Sequence, residues 1–301
     1  MSSGLVLIDK PQGWTSHDIV AKLRGIAGTR RVGHAGTLDP MATGLLLLGV
    51  NAGTKLLTFL VGEGKTYEAT IRLGASTITD DAEGDMVAQA EPSKVRAITA
   101  DQVEAALDDL RGDIMQVPSS VSAIKVDGER AYAKVRGGDE VKLAARPIKV
   151  TKFEITKTPH IVEAEGGVFL DFNAVIECSS GTYIRALARD LGEALRVGGH
   201  LTALRRTRIG SYRIEDAAAM QDLTRENLVI TSMFDSVKDA FELRELSEQE
   251  VIDLRHGKRI AANGATSPEI AGVHEQQLIA MLEPVGTQLK SSVVFAVGSD
   301  D

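Results

Sequence analysis

The chain has 301 residues, of which 43% are hydrophobic and 25% are charged. This composition excludes disordered, collagen-like and coiled-coil proteins, and the length predicts two domains or one large and one small domain. The single cysteine, Cys178, excludes an intramolecular disulfide and a cysteine-based zinc site, because each needs a second thiolate. The sequence has neither a signal-peptide pattern nor the roughly 20 apolar residues that span a bilayer. We therefore expect a cytoplasmic protein that does not enter a membrane.

The net charge of −8, taken alone, argues against a nucleic-acid partner, because nucleic acids are polyanions. The acidity is unevenly distributed: residues 214–301 carry 7 basic and 16 acidic side chains, and residues 80–113 carry 3 basic and 10 acidic ones. Residues 1–79 and 114–213 have net charges of +3 and +5. The sequence therefore remains compatible with a restricted basic face that contacts RNA.

The predicted elements mix short strands with helices. Runs of alternating or β-branched apolar residues predict strands at residues 5–8, 65–73 and 169–177. N-cap residues or apolar positions at helical spacing predict helices at residues 15–23, 99–110 and 181–195. Because the strands do not alternate regularly with crossover helices, we expect a mixed α+β domain with mainly antiparallel strands.

The pattern restarts near residue 240. Ser247 and Glu250 have the spacing of a capping box ahead of an apolar run, which predicts a short helix. Residues 278–285 and 291–297 read as strands. We therefore predict a large domain over 1–240 and a small appended domain over 241–301.

Polar residues that carry chemistry are concentrated at residues 30–49, just before a wholly apolar run. Asp39 precedes Pro40, which biases it towards an extended conformation at a bend. The residues alone leave two interpretations open: a functional carboxylate on a braced loop, or a turn aspartate that caps the next helix. Gly33 and Gly36 do not form a dinucleotide fingerprint, and no Walker lysine follows, so phosphate-cradle interpretations fail.

The same segment resembles a known motif. Residues 33–46, GHAGTLDPMATGLL, closely resemble the catalytic motif of the bacterial tRNA pseudouridine-55 synthases, the TruB family. Residues 7–16, LIDKPQGWTS, resemble the opening strand and Lys-Pro element of that family. Partial matches follow in the family's order and cover the chain to residue 213: 65–67, 111–114, 118–119, 122–125, 145–148, 180–185 and 204–206.

The resemblance implies an isomerase that converts uridine 55 in the T-loop of tRNA to pseudouridine without a metal or organic cofactor. It implies the pseudouridine synthase fold, with a mixed, mainly antiparallel central sheet flanked by helices, and a small C-terminal PUA-like β-rich domain. The family has an RNA-clamping insertion at 114–149, where this chain carries 7 basic and 4 acidic residues. We expect this insertion to be mobile until RNA binds, although its composition also fits an ordinary solvated loop.

Three residues match the catalytic positions of the family. Asp39 stands at the position of the nucleophile, and a carboxylate can both attack and leave as a stabilised anion. Arg185 matches the arginine that pairs with the nucleophile and keeps it ionised. Tyr67 matches the tyrosine that stacks on the target base and is implicated in removing the C5 proton. From the residues alone, Arg185 could be a solvated helix residue and Tyr67 an ordinary strand aromatic.

The other matching positions concern RNA binding. His34 corresponds to the residue that helps to take the target nucleotide out of the RNA loop, and a metal role for it is not expected. Tyr183 and Leu204 match positions that line the uracil pocket. Arg205, Arg206 and Arg208 form a cationic cluster beside Leu204 that is suited to phosphates.

The expected partner is the T-arm stem-loop of tRNA. The resemblance suggests a monomer with no obligate protein partner. A different class, a non-catalytic RNA-binding or RNA-folding protein on the same scaffold, remains open, and the combination of Asp39, Arg185 and Tyr67 argues against it. A relative acting on ribosomal or guide-directed RNA is a third interpretation, disfavoured by the bacterial-type motif.

Overall fold

The computed structural model describes residues 2–119, 125–126, 129–130, 143–164 and 166–295. The helices are α1 Ser16–Ala27, α2 Gly53–Leu60, α3 Pro92–Arg96, α4 Ala100–Asp108, α5 Ile184–Ala194 and α6 Glu248–Arg255. The first strands are β1 Gly4–Lys10, β2 Val32–Ala35, β3 Thr43–Val50, β4 Lys65–Leu73, β5 Ala75–Thr77, β6 Met86–Gln89, β7 Gly112–Gln116, β8 Lys125–Val126, β9 Glu129–Arg130 and β10 Arg146–Ala164. They are followed by β11 Gly167–Cys178, β12 Gly199–Ile209, β13 Tyr212–Arg213, β14 Ala218–Ala219, β15 Thr231–Ser232, β16 Glu242–Glu245, β17 Ile260–Ala261, β18 Ile270–His274, β19 Gln277–Val285 and β20 Gln288–Val294.

The chain divides into two compact units. The first contains residues 1–40, 44–62 and 210–301, and the second contains residues 41–43 and 63–209. In the described part of the chain, no helix is long and apolar enough to cross a membrane.

In the first unit, β1 is the central strand. It pairs with β3 and β15 antiparallel and with β14 parallel, while β2 pairs with β3. Helix α1 packs its apolar stripe, including Ile19 and Leu23, into a core with residues of β1 and β3. The predicted N-cap is confirmed at Thr15, which forms a capping box with Asp18, and the helix extends beyond the predicted Leu23 to Ala27.

The last part of this unit forms a separate five-stranded sheet in the order β16-β18-β19-β20-β17. Helix α6 begins after the predicted capping box of Ser247 and Glu250, which is confirmed. Its Val251 and Leu254 join a core of their own with apolar residues of this sheet. The predicted β-rich C-terminal region is thus present.

In the second unit, antiparallel strands follow the order β12-β4-β11-β10-β7. Strand β4 has the predicted bounds, and α4 begins after a capping box formed by Thr99 and Gln102. Helix α5 buries Ile184, Leu187 and Leu191 along its predicted stripe. Mixed, mainly antiparallel sheets with flanking helices confirm the predicted fold class.

The predicted insertion at 114–149 is only partly within the described residues. β8 and β9 form a two-stranded antiparallel pair. The structure does not describe residues 120–124, 127–128 and 131–142. The predicted mobility of the insertion concerns these residues and stays a prediction.

Candidate active site

The loop that carries Asp39 is held through its backbone on both sides of the carboxylate. The Leu38 N–H donates to Ser16 Oγ at 2.9 Å, and Ser16 Oγ donates to the Leu38 carbonyl at 3.2 Å. The Pro40 carbonyl accepts from the Gly13 N–H at 2.8 Å. Asp39 itself is half-buried and is followed by strand β3, so the interpretation as a helix cap is wrong. The braced loop fits a side chain that must hold one position.

Lys10, the lysine of the Lys-Pro element, was given no site role from the sequence and supports the same loop. Its ammonium is fully buried and donates to the carbonyls of Pro11 at 3.0 Å, Trp14 at 2.7 Å and Pro40 at 3.3 Å. A buried charge is tolerated when it is hydrogen-bonded in this way. The signal in the sequence was a lysine at the end of an apolar strand, directly before a proline.

His34 lies on β2 in the first unit. Its ring meets that of His17 edge to face, with 5.7 Å between centroids, and it is half-buried. The role of His34 in opening the RNA loop stays a prediction.

In the second unit, the register of β4 and β12 brings three predicted site residues to one face. Tyr67 is paired with Arg206, and Ala69 is paired with Leu204. Residues directly opposite each other in an antiparallel pair share a face of the sheet. Tyr67 and Leu204 are both 7% exposed. The structure therefore places Tyr67, predicted to stack on the base, and Leu204, predicted to line the uracil pocket, on the same face of the sheet.

The arginines of the cluster on β12 differ in burial: one is fully buried and two are half-buried. Arg206 is 1% exposed, which does not fit the predicted contact with phosphate at the surface. Arg205 is half-buried, with its Nη1 3.4 Å from Thr43 Oγ1. Arg208 is also half-buried and donates from Nε to Thr66 Oγ1 at 2.9 Å. Alternation along β12 explains why Arg205 and Arg206 lie on opposite faces.

Arg185 is a buried residue and not the solvated arginine that the residues alone allowed. Its side chain is at the start of α5, is 5% exposed, donates to the Thr79 carbonyl at 2.7 Å and lies 3.4 Å from Asp81 Oδ2. Asp81 is 3% exposed and also accepts from Thr79 Oγ1 at 2.5 Å. Asp81 was not identified from the sequence, where its only signal is its place in a Thr- and Asp-rich turn. The pairing of Arg185 with Asp39 stays a prediction.

Tyr183 is the N-cap residue of α5 and is half-buried. Its backbone is held by Gln116 at the end of β7. Gln116 Nε2 donates to the Tyr183 carbonyl at 3.0 Å, and the Tyr183 N–H donates to Gln116 Oε1 at 2.9 Å. Gln116 is 2% exposed and was not identified from the sequence.

The face that carries Tyr67 also contains Lys65, two residues earlier on β4. Lys65 Nζ donates to the Glu63 carbonyl at 2.7 Å. Burial, and then the nearby Arg206 guanidinium, lower the pKa of Lys65 to about 8. Two basic side chains, Lys65 and Arg206, therefore lie on the same face as Tyr67.

Cys178 pairs with Lys65 in the register of β11 and β4. Burial raises the pKa of the Cys178 thiol to about 11. Cys178 is therefore protonated and unreactive at neutral pH. Among the described residues, no group of three or more His, Cys, Asp or Glu side chains could hold a metal ion.

Solved structures share this fold. The chain matches a protein in the structure titled "Crystal Structure of a Cbf5-Nop10-Gar1 Complex" with a TM-score of 0.70 and 24% identity, over 97% of this chain and 85% of that chain. It matches a protein in an H/ACA RNP bound to a substrate RNA containing 2'-deoxyuridine with a TM-score of 0.70 and 23% identity, over 98% of this chain and 85% of that chain. The chain therefore has the same fold as the matched proteins of these two structures.

Sequence comparisons agree with the resemblance read from the motifs. Residues 24–184 match the TruB family pseudouridylate synthase N-terminal domain, 185–248 the tRNA pseudouridylate synthase B C-terminal domain, and 241–296 the tRNA pseudouridine synthase II C-terminal domain. A tRNA pseudouridine synthase B of Arthrobacter sp. (strain FB24) is 53% identical over 100% of this chain and 99% of its own length. Another, of Thermobifida fusca (strain YX), is 48% identical over 98% of this chain and 99% of its own length. The chain belongs to the TruB family of pseudouridylate synthases, and it is an isomerase.

Proposed function

We propose that the chain converts uridine 55 in the T-loop of tRNA to pseudouridine in the cytoplasm, with Asp39 as the nucleophile. The observation that carries the proposal is the loop of the catalytic motif, where the backbone is hydrogen-bonded on both sides of a half-buried carboxylate. Full-length relatives named tRNA pseudouridine synthase B support tRNA as the substrate.

The reaction is an isomerisation and needs no external oxidant or reductant. The bond from C1′ of the ribose to N1 of uracil breaks, and a bond from C1′ to C5 forms. The C5 proton leaves, and N1 gains a proton, so atoms and charge balance. The Asp39 carboxylate forms a transient covalent bond, either to C6 of the base or to C1′ of the sugar, and then leaves as an anion.

The second unit supplies the groups that hold the base. Tyr67 and Leu204, brought together on β4 and β12, form the walls of the uracil pocket together with Tyr183. Tyr67 stacks on the target base and accepts the C5 proton. Arg185 stabilises the ionised nucleophile.

In this proposal, the arginines that contact RNA phosphates lie on one face of β12. Arg205 and Arg208 are half-buried and can reach RNA, whereas Arg206 is fully buried. His34 takes the target nucleotide out of the loop, and residues 241–301 form a PUA-like domain that follows a catalytic domain over 1–240. The chain acts alone, without a protein partner.

The test uses the purified chain and an unmodified tRNA transcript, with pseudouridine mapped along the product. The wild-type chain alone modifies position 55, whereas Asp39→Asn forms no pseudouridine and still binds the transcript. Wild-type turnover by Asp39→Asn would reject Asp39 as the nucleophile. Modification at another position would reject the proposed site. Binding and refolding of tRNA without any pseudouridine would favour the non-catalytic alternative.

A further inference from the structure

We propose that Gln116 is a positioning residue for the reaction, because its side-chain amide holds the backbone of Tyr183 and fixes the first turn of α5. This inference rests on the proposed function, in which Tyr183 and Arg185 act from that turn. Gln116 is 2% exposed, and both of its hydrogen bonds to Tyr183, of 3.0 and 2.9 Å, are of ordinary length. The Gln116 side-chain amide therefore both donates to and accepts from the Tyr183 backbone, as a peptide group of a neighbouring strand would.

The start of α5 needs such a support. The side chain of the N-cap residue, Tyr183, makes no capping hydrogen bond. The residue two positions earlier, Gly181, has a φ of +85° in an exposed turn. First-turn N–H groups of a helix have no partner within the helix, so partners from elsewhere help to set its orientation. Gln116 supplies this partner from a strand that lies 67 residues away in the chain.

A second contact ties the same strand end to α5. Arg189, one turn after Arg185, donates from Nη2 to the carbonyl of Val117 at 2.7 Å. Gln116, the last residue of β7, and Val117, the residue after it, therefore hold α5 at two points along its axis. Two attachment points restrict rotation of the helix as well as translation, which keeps the directions of Tyr183 and Arg185 constant. An apolar side chain at position 116 could fill the same space but could not form these hydrogen bonds.

The first experiment compares Gln116→Met, which keeps the length of the side chain and removes both hydrogen bonds, with Gln102→Met. Gln102 is a matched control, because its Oε1 accepts from the backbone N–H of Thr99, the N-cap of α4. Loss of such a cap destabilises a protein by about 1 kcal/mol. We expect Gln116→Met to lower kcat by about 10- to 100-fold with little change in tRNA affinity, since displacements near 1 Å have this effect. We expect Gln102→Met to keep the wild-type kcat.

Gln116→Glu tests the role of the hydrogen bonds through the pH dependence of kcat, which a purely structural role of Gln116 would not change. A protonated carboxyl at this position can donate to the Tyr183 carbonyl and accept from its N–H, as the amide does. An ionised carboxylate loses the donor, and burial raises the pKa of such a carboxyl. The ratio of the Gln116→Glu kcat to the wild-type kcat therefore rises as the pH falls from about 8 to about 5. Dividing by the wild-type value at each pH removes the titration of the native groups.

Hydrogen exchange at the Tyr183 amide separates this inference from the proposed function. The amide exchanges slowly in the wild type and faster in Gln116→Met, whatever the enzyme does to tRNA. The inference is overturned if Gln116→Met keeps the wild-type kcat or wild-type exchange at Tyr183, or if the Gln116→Glu ratio is flat with pH. If the wild-type chain forms no pseudouridine, the proposed function fails, and the exchange result still decides whether Gln116 holds Tyr183.

Discussion

The packing of α5 against β12 makes Gly192→Ala an informative perturbation. A Cβ at Gly192 would lie 2.1 Å from Gly199 N and 2.2 Å from Gly198 C, whereas ordinary contact begins at 3.4 Å. The difference requires the helix and the strand to separate by about 1.3 Å at this point. Both close contacts are with backbone atoms, so no rotation of a side chain can relieve them. Because Arg185 is carried by α5, the displacement reaches the site.

The expected effects follow from this displacement. Overpacking of this kind destabilises proteins by about 1–3 kcal/mol, and the gain in helix propensity from glycine to alanine is about 0.5–1 kcal/mol. The net loss of up to about 2.5 kcal/mol lowers Tm by up to about 10 °C for a unit of this size. A shift near 1 Å at Arg185 lowers kcat by up to about 100-fold.

Gly25→Ala is the matched control, because Gly25 also lies in a helix and an added Cβ would meet no atom within 4 Å. It is expected to raise Tm by about 1–4 °C and to leave kcat unchanged. Thermal unfolding and single-turnover pseudouridine formation on a tRNA transcript measure both effects. If Gly192→Ala melts at or above the wild-type temperature and turns over at the wild-type rate, the packing argument is refuted.

Two further predictions concern His200 and the arginines of β12. His200 is 5% exposed, its Nδ1 lies 3.0 Å from the Ala75 carbonyl, and burial lowers its pKa from 6.5. As the pH falls, the unfolded chain therefore binds a proton at His200 before the folded chain does, and Tm falls as the pH drops below about 6.5. His200→Asn is expected to make Tm depend less on pH over this range. Thermal melts that show the same dependence of Tm on pH in the variant and the wild type would contradict this role of His200. Arg205→Ala should reduce the slope of log tRNA affinity against log salt concentration by about one unit. Arg206→Ala should lower Tm and leave that slope unchanged. Equal slopes for the two variants in tRNA-binding titrations would contradict this distinction.

Local patterns were sufficient to predict the elements that position the site. The alternation in β4 and the capping box at Ser247 depend on neighbouring residues, and the structure has them where the sequence indicated. The extent of α1 was underestimated because its last turn continues to the C-cap Gly28, beyond the clearest apolar residues.

Contacts between distant residues were not predictable from local pattern. Gln116 and Asp81 became recognisable only when their partners, Tyr183 and Arg185, were placed beside them. The burial of Arg206 depends on the register between β4 and β12, which no single strand specifies. The acidic stretch at 80–113 begins with two buried residues, Asp80 at 7% and Asp81 at 3% exposed, which its composition did not indicate. Asp81 contributes to an internal ion pair and not to a surface that repels RNA.

The buried thiol of Cys178 makes the chain suitable for site-specific labelling without removal of its native cysteine. Burial raises the pKa of Cys178 to about 11, so the side chain is the thiol and not the thiolate at pH 7. Maleimide dyes react with accessible thiolates and would spare this residue. A cysteine introduced at Val229, which is 75% exposed, would carry a single fluorophore. Binding of tRNA could then be followed by fluorescence on the otherwise unaltered protein.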